Sequence, residues 1–216
     1  MASQPAVTLE TVRAALQLPL PGHIARQSMA PRPRPGDRPD LPRPCPHEGA
    51  VLLLLYPRDG KLVLPLTLRT QSVELHRGQI SLPGGAREPQ DDNFQETALR
   101  EAHEELGVPT EAIQILGALT PLFIPVSGFC VYPYVGYALH PFPICTDPKE
   151  VAQVIEVPVE QLLDPGTRQV ELHEQDGQRY EIPVYCVEGQ KVWGATAMIL
   201  AEFVALLYAA QSSAAH

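Results

Sequence analysis

Apolar residues run without a break from Val51 to Tyr56, the pattern of a strand covered on both faces. Asp59-Gly60 follows as a hairpin signal, and Leu62 to Leu68 returns as the partner strand. Phe94 to Leu106 has helical spacing, with Leu99, Ala102 and Leu106 as an apolar stripe; Gly107 ends it and Pro109 prevents it from resuming. Ile113 to Leu119, Val131 to Leu139 and Val151 to Val157 read as further strands, and Pro158 to Leu163 as a helical turn. Val170 to His173 and Tyr180 to Cys186 flank Asp176-Gly177, a second hairpin, and Ala195 to Tyr208 reads as a last helix. Near the start, Thr8 can cap a short helix to Leu18, with Leu9, Val12 and Leu16 near one face and Pro19 and Pro21 stopping it. Strands with helices between and after them predict an α/β fold, a mixed β-sheet sandwiched between α-helices.

Ser28 to Pro46 is rich in proline and carries Arg32, Arg34, Arg38 and Arg43, which predicts an extended arm. Residues 1–48 are therefore set apart as a helix and arm, and residues 49–216 as the domain proper. The length of 216 residues suits one domain with an appendage, and an apolar share of 44 % suffices for a packed core. A formal net charge of -9 argues against non-specific nucleic-acid binding, because phosphate contacts need Lys and Arg. Cys45, Cys130, Cys145 and Cys186 share no CxxC spacing and read as reduced thiols. The start resembles no signal peptide, and Ala195 to Ala210, interrupted by Glu202, falls short of a membrane span. The expectation is a soluble, cytoplasmic protein that binds neither nucleic acid nor membrane, with a homodimer left open.

The chemistry concentrates between Ser81 and Val108. Glu101, Glu104 and Glu105 stand at i, i+3 and i+4 on the helix, so their carboxylates are expected on one face, away from the apolar stripe. Like charges at that spacing repel, and Arg100 is the nearby cation. That pattern calls for a bound divalent ion, and hard cations such as Mg²⁺ prefer carboxylate, water and phosphate oxygens. Gly84-Gly85 lets backbone approach an ion or phosphate closely. Each element alone is commonplace: a Glu pair is usually a solvated face, and Gly-Gly after a strand is usually a turn.

Together they resemble the Nudix box: Gly, five residues, Glu, seven residues, then Arg-Glu-apolar-x-Glu-Glu-x-Gly-apolar. Arg100 to Val108 matches every fixed position of the second half. In the first half, Gly85 plus five residues reaches Asp91 rather than Glu, and the spacing from Asp91 to Arg100 is one residue longer. Leu66-Thr67-Leu68-Arg69, the run from His76 to Gly85, Ser127-Gly128, Glu150-Val151 and the run from Val192 to Ala197 further resemble coenzyme A diphosphatases of that family. The departures are Pro65, Thr70, Glu74 and Leu82, of which Glu74 reverses a charge.

The resemblance implies a Nudix fold and metal-assisted attack of water on a diphosphate phosphorus. Glu101, Glu104, Glu105 and Gly85 would hold Mg²⁺ or Mn²⁺, and Arg100 would orient the glutamates. Arg69, His76, Arg77, Gly84 and Gly85 would meet a small-molecule diphosphate substrate. Glu150 would be a catalytic base or an extra ligand, with a plain surface Glu as the alternative. The implied substrate is coenzyme A; ADP-ribose, another nucleoside diphosphate derivative, or a non-catalytic binding domain are the other readings. His103 points off the glutamate face, and Trp193 reads as core in preference to pocket lining.

Overall fold

The computed structural model describes residues 6–34, 45–70, 79–140, 142–175 and 177–214. The predicted first strand and its hairpin partner are β1 (His47–Arg58) and β2 (Lys61–Arg69), turned by Asp59 at φ 49° and Gly60 at φ 77°. Two short strands follow, β3 (Ile80–Ser81) and β4 (Gly84–Ala86), and then α3 (Phe94–Leu106). The remaining strands of the main sheet are β5 (Ile113–Ala118), β6 (Leu122–Ile124), β7 (Phe129–Ala138) and β8 (Val151–Pro158). The chain then forms α4 (Val159–Leu163), the three-stranded sheet of β9 (Arg168–Gln175), β10 (Gln178–Val187) and β11 (Gln190–Val192), and α5 (Gly194–Ala214). Before β1 come α1 (Leu9–Leu16) and α2 (Gly22–Arg26).

In the main sheet β3, β2, β1, β7 and β5 lie side by side; β4 also pairs with β1, β6 with β7, and β8 with β2. The sheet is mixed because β1 and β7 run parallel from His47↔Phe129 to Leu55↔Tyr137 while their other neighbours are antiparallel. The apolar run in β1 is explained by its two covered faces. Leu52, Leu54 and Tyr56 pack with Ala98, Ala102 and Leu106 of α3, whereas Leu53 and Leu55 pack with Phe203, Val204 and Leu207 of α5. Helices thus cover both faces, as predicted.

Three expectations are corrected. First, the N-terminal segment is not an arm standing off the core. Val7, Val12, Ala15 and Met29 are buried in the same cluster as α5, and α1 and α2 both pack on that helix. A helix of eight residues is marginal alone, so its stability has to come from packing its apolar face. The proline-rich residues 35–44 lie outside the described residues. Second, Cys45 and Cys130 form a disulfide rather than two free thiols, closing a separation of 85 residues; Cys145 and Cys186 are free.

Third, Gly194–Ser213 is long and apolar enough, by length and composition, to cross a membrane, but most of it is buried inside the fold. Its apolarity is that of a core helix. Glu202, fully buried, forms an ion pair with Arg26 of α2 at 2.5 Å and accepts a hydrogen bond from the Thr120 hydroxyl at 2.6 Å.

Candidate active site

The site assembles where α3 packs on β1 and β4, with Thr67 and Arg69 of β2 reaching its buried side. Asn93 caps α3 by accepting a hydrogen bond from the Glu96 amide, and Gly107 ends it in the left-handed region at φ 72°. These local signals fix the helix limits and hence the spacing of the three glutamates.

The glutamates do not share one environment. Glu101 lies against β4: a Cβ on Gly85 would stand 2.4 Å from Glu101 Oε1, so a side chain there would displace the carboxylate from this position. Glu104 is 53 % exposed. Glu105 is 2 % exposed and lies on the buried side of α3, with its neighbours Ala98, Ala102 and Leu106. The expected stripe through Leu99 is rotated by one position, because Ala98 is fully buried and Leu99 only half-buried. Among the described residues, no three His, Cys, Asp or Glu side chains stand close enough to ligate one ion as placed. Each of the three carboxylates accepts from a protein donor.

Those donors are specific. Arg100 Nη1 donates to Glu101 Oε1 at 2.9 Å and to Glu104 Oε2 at 3.0 Å. Its Nε and Nη2 donate to the two oxygens of Asp91, each at 3.0 Å, and Nη2 also reaches the Ala86 carbonyl. Thr67 Oγ1 donates to Glu105 Oε2 at 3.3 Å, and Arg69 Nη1 lies 3.5 Å from Glu105 Oε1.

Asp91, a departure from the family pattern in sequence, is the buried anchor of the arginine. It also accepts from Thr97 Oγ1 and from the Glu88 amide, each at 2.9 Å. The Arg100 guanidinium holds its carboxyl well below the usual carboxylate range. Thr67 and Asp91 escaped the sequence reading as site residues. The placement of Asp91 six and nine residues before Thr97 and Arg100, which share a helix face, was the available signal.

Burial pushes the Glu105 carboxyl from its ordinary 4.5 up to about 8; Arg69 opposes the rise, and the charges of Glu101 and Glu150 add to it. Burial likewise raises Glu101, Arg100 opposes this, and Glu104 and Glu150 contribute through their charges. Glu150, just before β8, therefore belongs to the same electrostatic unit; its carbonyl accepts from the amide of Thr70, just after β2.

Of the remaining expected residues, Arg69 is at the site but beside Glu105, and Gly84 and Gly85 form β4. His76 and Arg77, with Glu74, lie outside the described residues. His103 Nδ1 is 2.9 Å from the Val108 carbonyl at the helix end. Trp193 is 41 % exposed and is not a core residue.

The metal-free protein should lose stability as pH rises. The folded-state value for Glu105 stands above that of the unfolded chain, so its contribution is complete below about 4.5 and is lost as pH climbs through about 8. Asp91 acts in the opposite sense but titrates well below this window. Calorimetry in chelator should show Tm falling by about 5 °C or more from pH 6 to pH 9. Glu105→Gln should flatten that slope, and an equal slope in the variant would remove Glu105 as its source.

Comparison with known proteins places these features in a family. The NUDIX domain model matches residues 46–175. The chain is 35 % identical over 151 residues to a protein of Photorhabdus laumondii described as an uncharacterized Nudix hydrolase NudL, covering 70 % of this chain and 80 % of that one. A NudL of Pectobacterium atrosepticum is 40 % identical over 138 residues, covering 63 % and 71 %. Among solved structures, the Nudix hydrolase RenU of M. smegmatis is similar at 25 % identity and a TM-score of 0.46, covering 56 % of this chain and 78 % of that one. A MutT/nudix family protein from Enterococcus faecalis is similar at 19 % identity and a TM-score of 0.48, covering 92 % and 73 %.

Proposed function

This chain belongs to the Nudix family, a premise from which we propose that it hydrolyses the diphosphate of coenzyme A to adenosine 3′,5′-bisphosphate and 4′-phosphopantetheine. Family membership makes it a hydrolase of diphosphate linkages in nucleotide-derived small molecules. The observation that carries a metal-dependent reading is Glu105: a carboxylate 2 % exposed, faced by one arginine and surrounded by the charges of Glu101 and Glu150. Buried anions without full compensation are costly, so this set fits a divalent cation, and Gly85, lacking a Cβ, lets the Glu101 carboxylate lie against the β4 backbone. Glu101, Glu104, Glu105 and the Gly85 backbone would hold Mg²⁺ or Mn²⁺, which supplies charge neutralisation for a diphosphate and acidifies water.

The protein's own groups have separable roles. Asp91 fixes Arg100, and Arg100 fixes Glu101 and Glu104. Arg69 and Thr67 hold Glu105 from the opposite strand. Glu150 is the carboxylate outside α3 available to accept a proton from water. An intact glutamate set of this kind speaks against a purely binding domain, which needs no such charge concentration.

Incubation with coenzyme A, 3′-dephospho-coenzyme A and ADP-ribose in Mg²⁺ or Mn²⁺, with products identified by mass spectrometry, tests the proposal. Coenzyme A should have the highest kcat/KM, with the difference from its 3′-dephospho form lying in KM. Arg77→Ala should erase that preference, since a dianionic phosphate calls for a forked donor. Arg69→Ala should instead lower kcat for both, because Arg69 is beside Glu105. Equal kcat/KM for the two coenzyme forms would replace the coenzyme A reading by that of a broader nucleoside diphosphate hydrolase.

A further inference from the structure

The three-stranded sheet runs in the order β11-β10-β9. Its β11 edge lies beside β3 of the main sheet, whereas β9, among the described residues, pairs with β10 alone. The outer edge of β9 therefore carries a row of backbone N–H and C=O groups open to pairing. Such edges are commonly blunted by proline, by lysine or by keeping the strand very short. β9 has eight residues, contains neither proline nor lysine, and holds Val170 at 60 % and Leu172 at 69 % exposure.

The side chains of β9 are ordered for self-pairing. Arg168, Val170, Leu172 and Glu174 alternate with Gln169, Glu171 and His173, so the first four share one face. On that face Arg168 lies over the Tyr185 ring of β10 at 5.4 Å, and Val170 stands opposite the buried Pro183. Counted from Glu171, an arginine lies three residues before and a glutamate three after, and a valine one before and a leucine one after. Two copies laid antiparallel about Glu171 therefore set Arg168 against Glu174 and Val170 against Leu172, each pair twice. Shifting one copy by two residues sets Val170 against Glu174, or Arg168 against Leu172, and so opposes a charge to an apolar side chain. The two Glu171 side chains meet at the axis, where like charges repel. Each is ion-paired with Lys191 of its own β11, and His173 Nε2 lies 3.2 Å from it, which offsets that repulsion.

We propose that β9 is a homodimer interface, at which a second copy of this chain adds its own β9 antiparallel about a two-fold axis at Glu171 and joins the two three-stranded sheets into one of six strands. The backbone edges supply the hydrogen bonds. Val170 and Leu172 leave water against each other, and the Arg168–Glu174 pairs select the register. A two-fold pairing consumes both edges, so the assembly closes at two copies. The proposal is independent of the substrate assigned to the carboxylate site.

The test is sedimentation equilibrium of the full chain and of two charge reversals, Arg168→Glu and Glu174→Arg. One strand edge is a small interface, so the wild type should be a monomer–dimer system with Kd below about 100 µM. In either reversal alone, both symmetric attractions become repulsions, and the dimer should weaken by about tenfold or more. An equimolar mixture of the two reversals restores opposite charges at both places, and should dimerise within about threefold of the wild-type Kd. Both positions are exposed, so the variants should fold, which circular dichroism checks. Leu172→Asp, at an exposed position on the same face, should also give a monomer and serves should either reversal fail to fold. A wild type that stays monomeric to about 1 mM, a dimer indifferent to the reversals and to Leu172→Asp, or a mixture of folded reversals that remains monomeric would each overturn the proposal.

Discussion

Replacing Glu105 with Gln is expected to lower kcat by about 10²-fold or more, the scale of losing one preorganised electrostatic group, while making the metal-free protein more stable at pH 8. The two effects have one cause. Glu105 is almost completely buried, its carboxyl is pushed up to about 8, and a charge there is tolerated only with a cation beside it. Gln keeps the volume and can still meet Thr67 and Arg69, but it removes the anion. Mg²⁺ should therefore raise the Tm of the wild type by more than that of the variant. Glu104→Gln is the informative comparison. Glu104 is about half exposed and bonded to Arg100, so its loss should lower kcat with little effect on the pH dependence of Tm. Near-full turnover of Glu105→Gln in Mg²⁺ would remove Glu105 from the proposed metal set.

A chain beginning at Pro46 is expected not to fold into a cooperative structure, even though the family domain starts there. Deletion removes α2, and with it both the cation that neutralises Glu202 and the cover over that part of α5. It also exposes what Val7, Val12 and Met29 cover, at about 1.5–3 kcal/mol for each buried side chain. The sum is comparable with the whole stability of an ordinary domain, about 5–15 kcal/mol. Circular dichroism and size-exclusion chromatography of the shortened chain should show a broad or absent transition and association. Arg26→Met in the full chain isolates the charge contribution: it should fold, with stability reduced by about 3–5 kcal/mol. A shortened chain melting cooperatively near the full-length Tm would restore residues 1–48 to the status of an arm.

The sequence by itself determined the features that rest on neighbours along the chain. The limits of α3 follow from an apolar period, a capping Asn93 and the left-handed Gly107, all within one short stretch. The strand β1 follows from an unbroken apolar run, and its hairpin from Asp59-Gly60. The spacing from Gly85 to Glu105 was enough to suggest the metal chemistry and the family, because motif spacing is a property of the chain alone. What lies across from each residue was decided only by tertiary structure. Glu105 and Glu104 are adjacent in sequence and identical in type, yet one is buried and one exposed, because Thr67 and Arg69, more than 30 residues earlier, come to lie against α3. Glu202 read as an interruption of an apolar helix until Arg26 was found opposite it, and Cys45 met Cys130 across 85 residues. Burial, pairing and charge compensation are set by those distant partners, and no local periodicity encodes them.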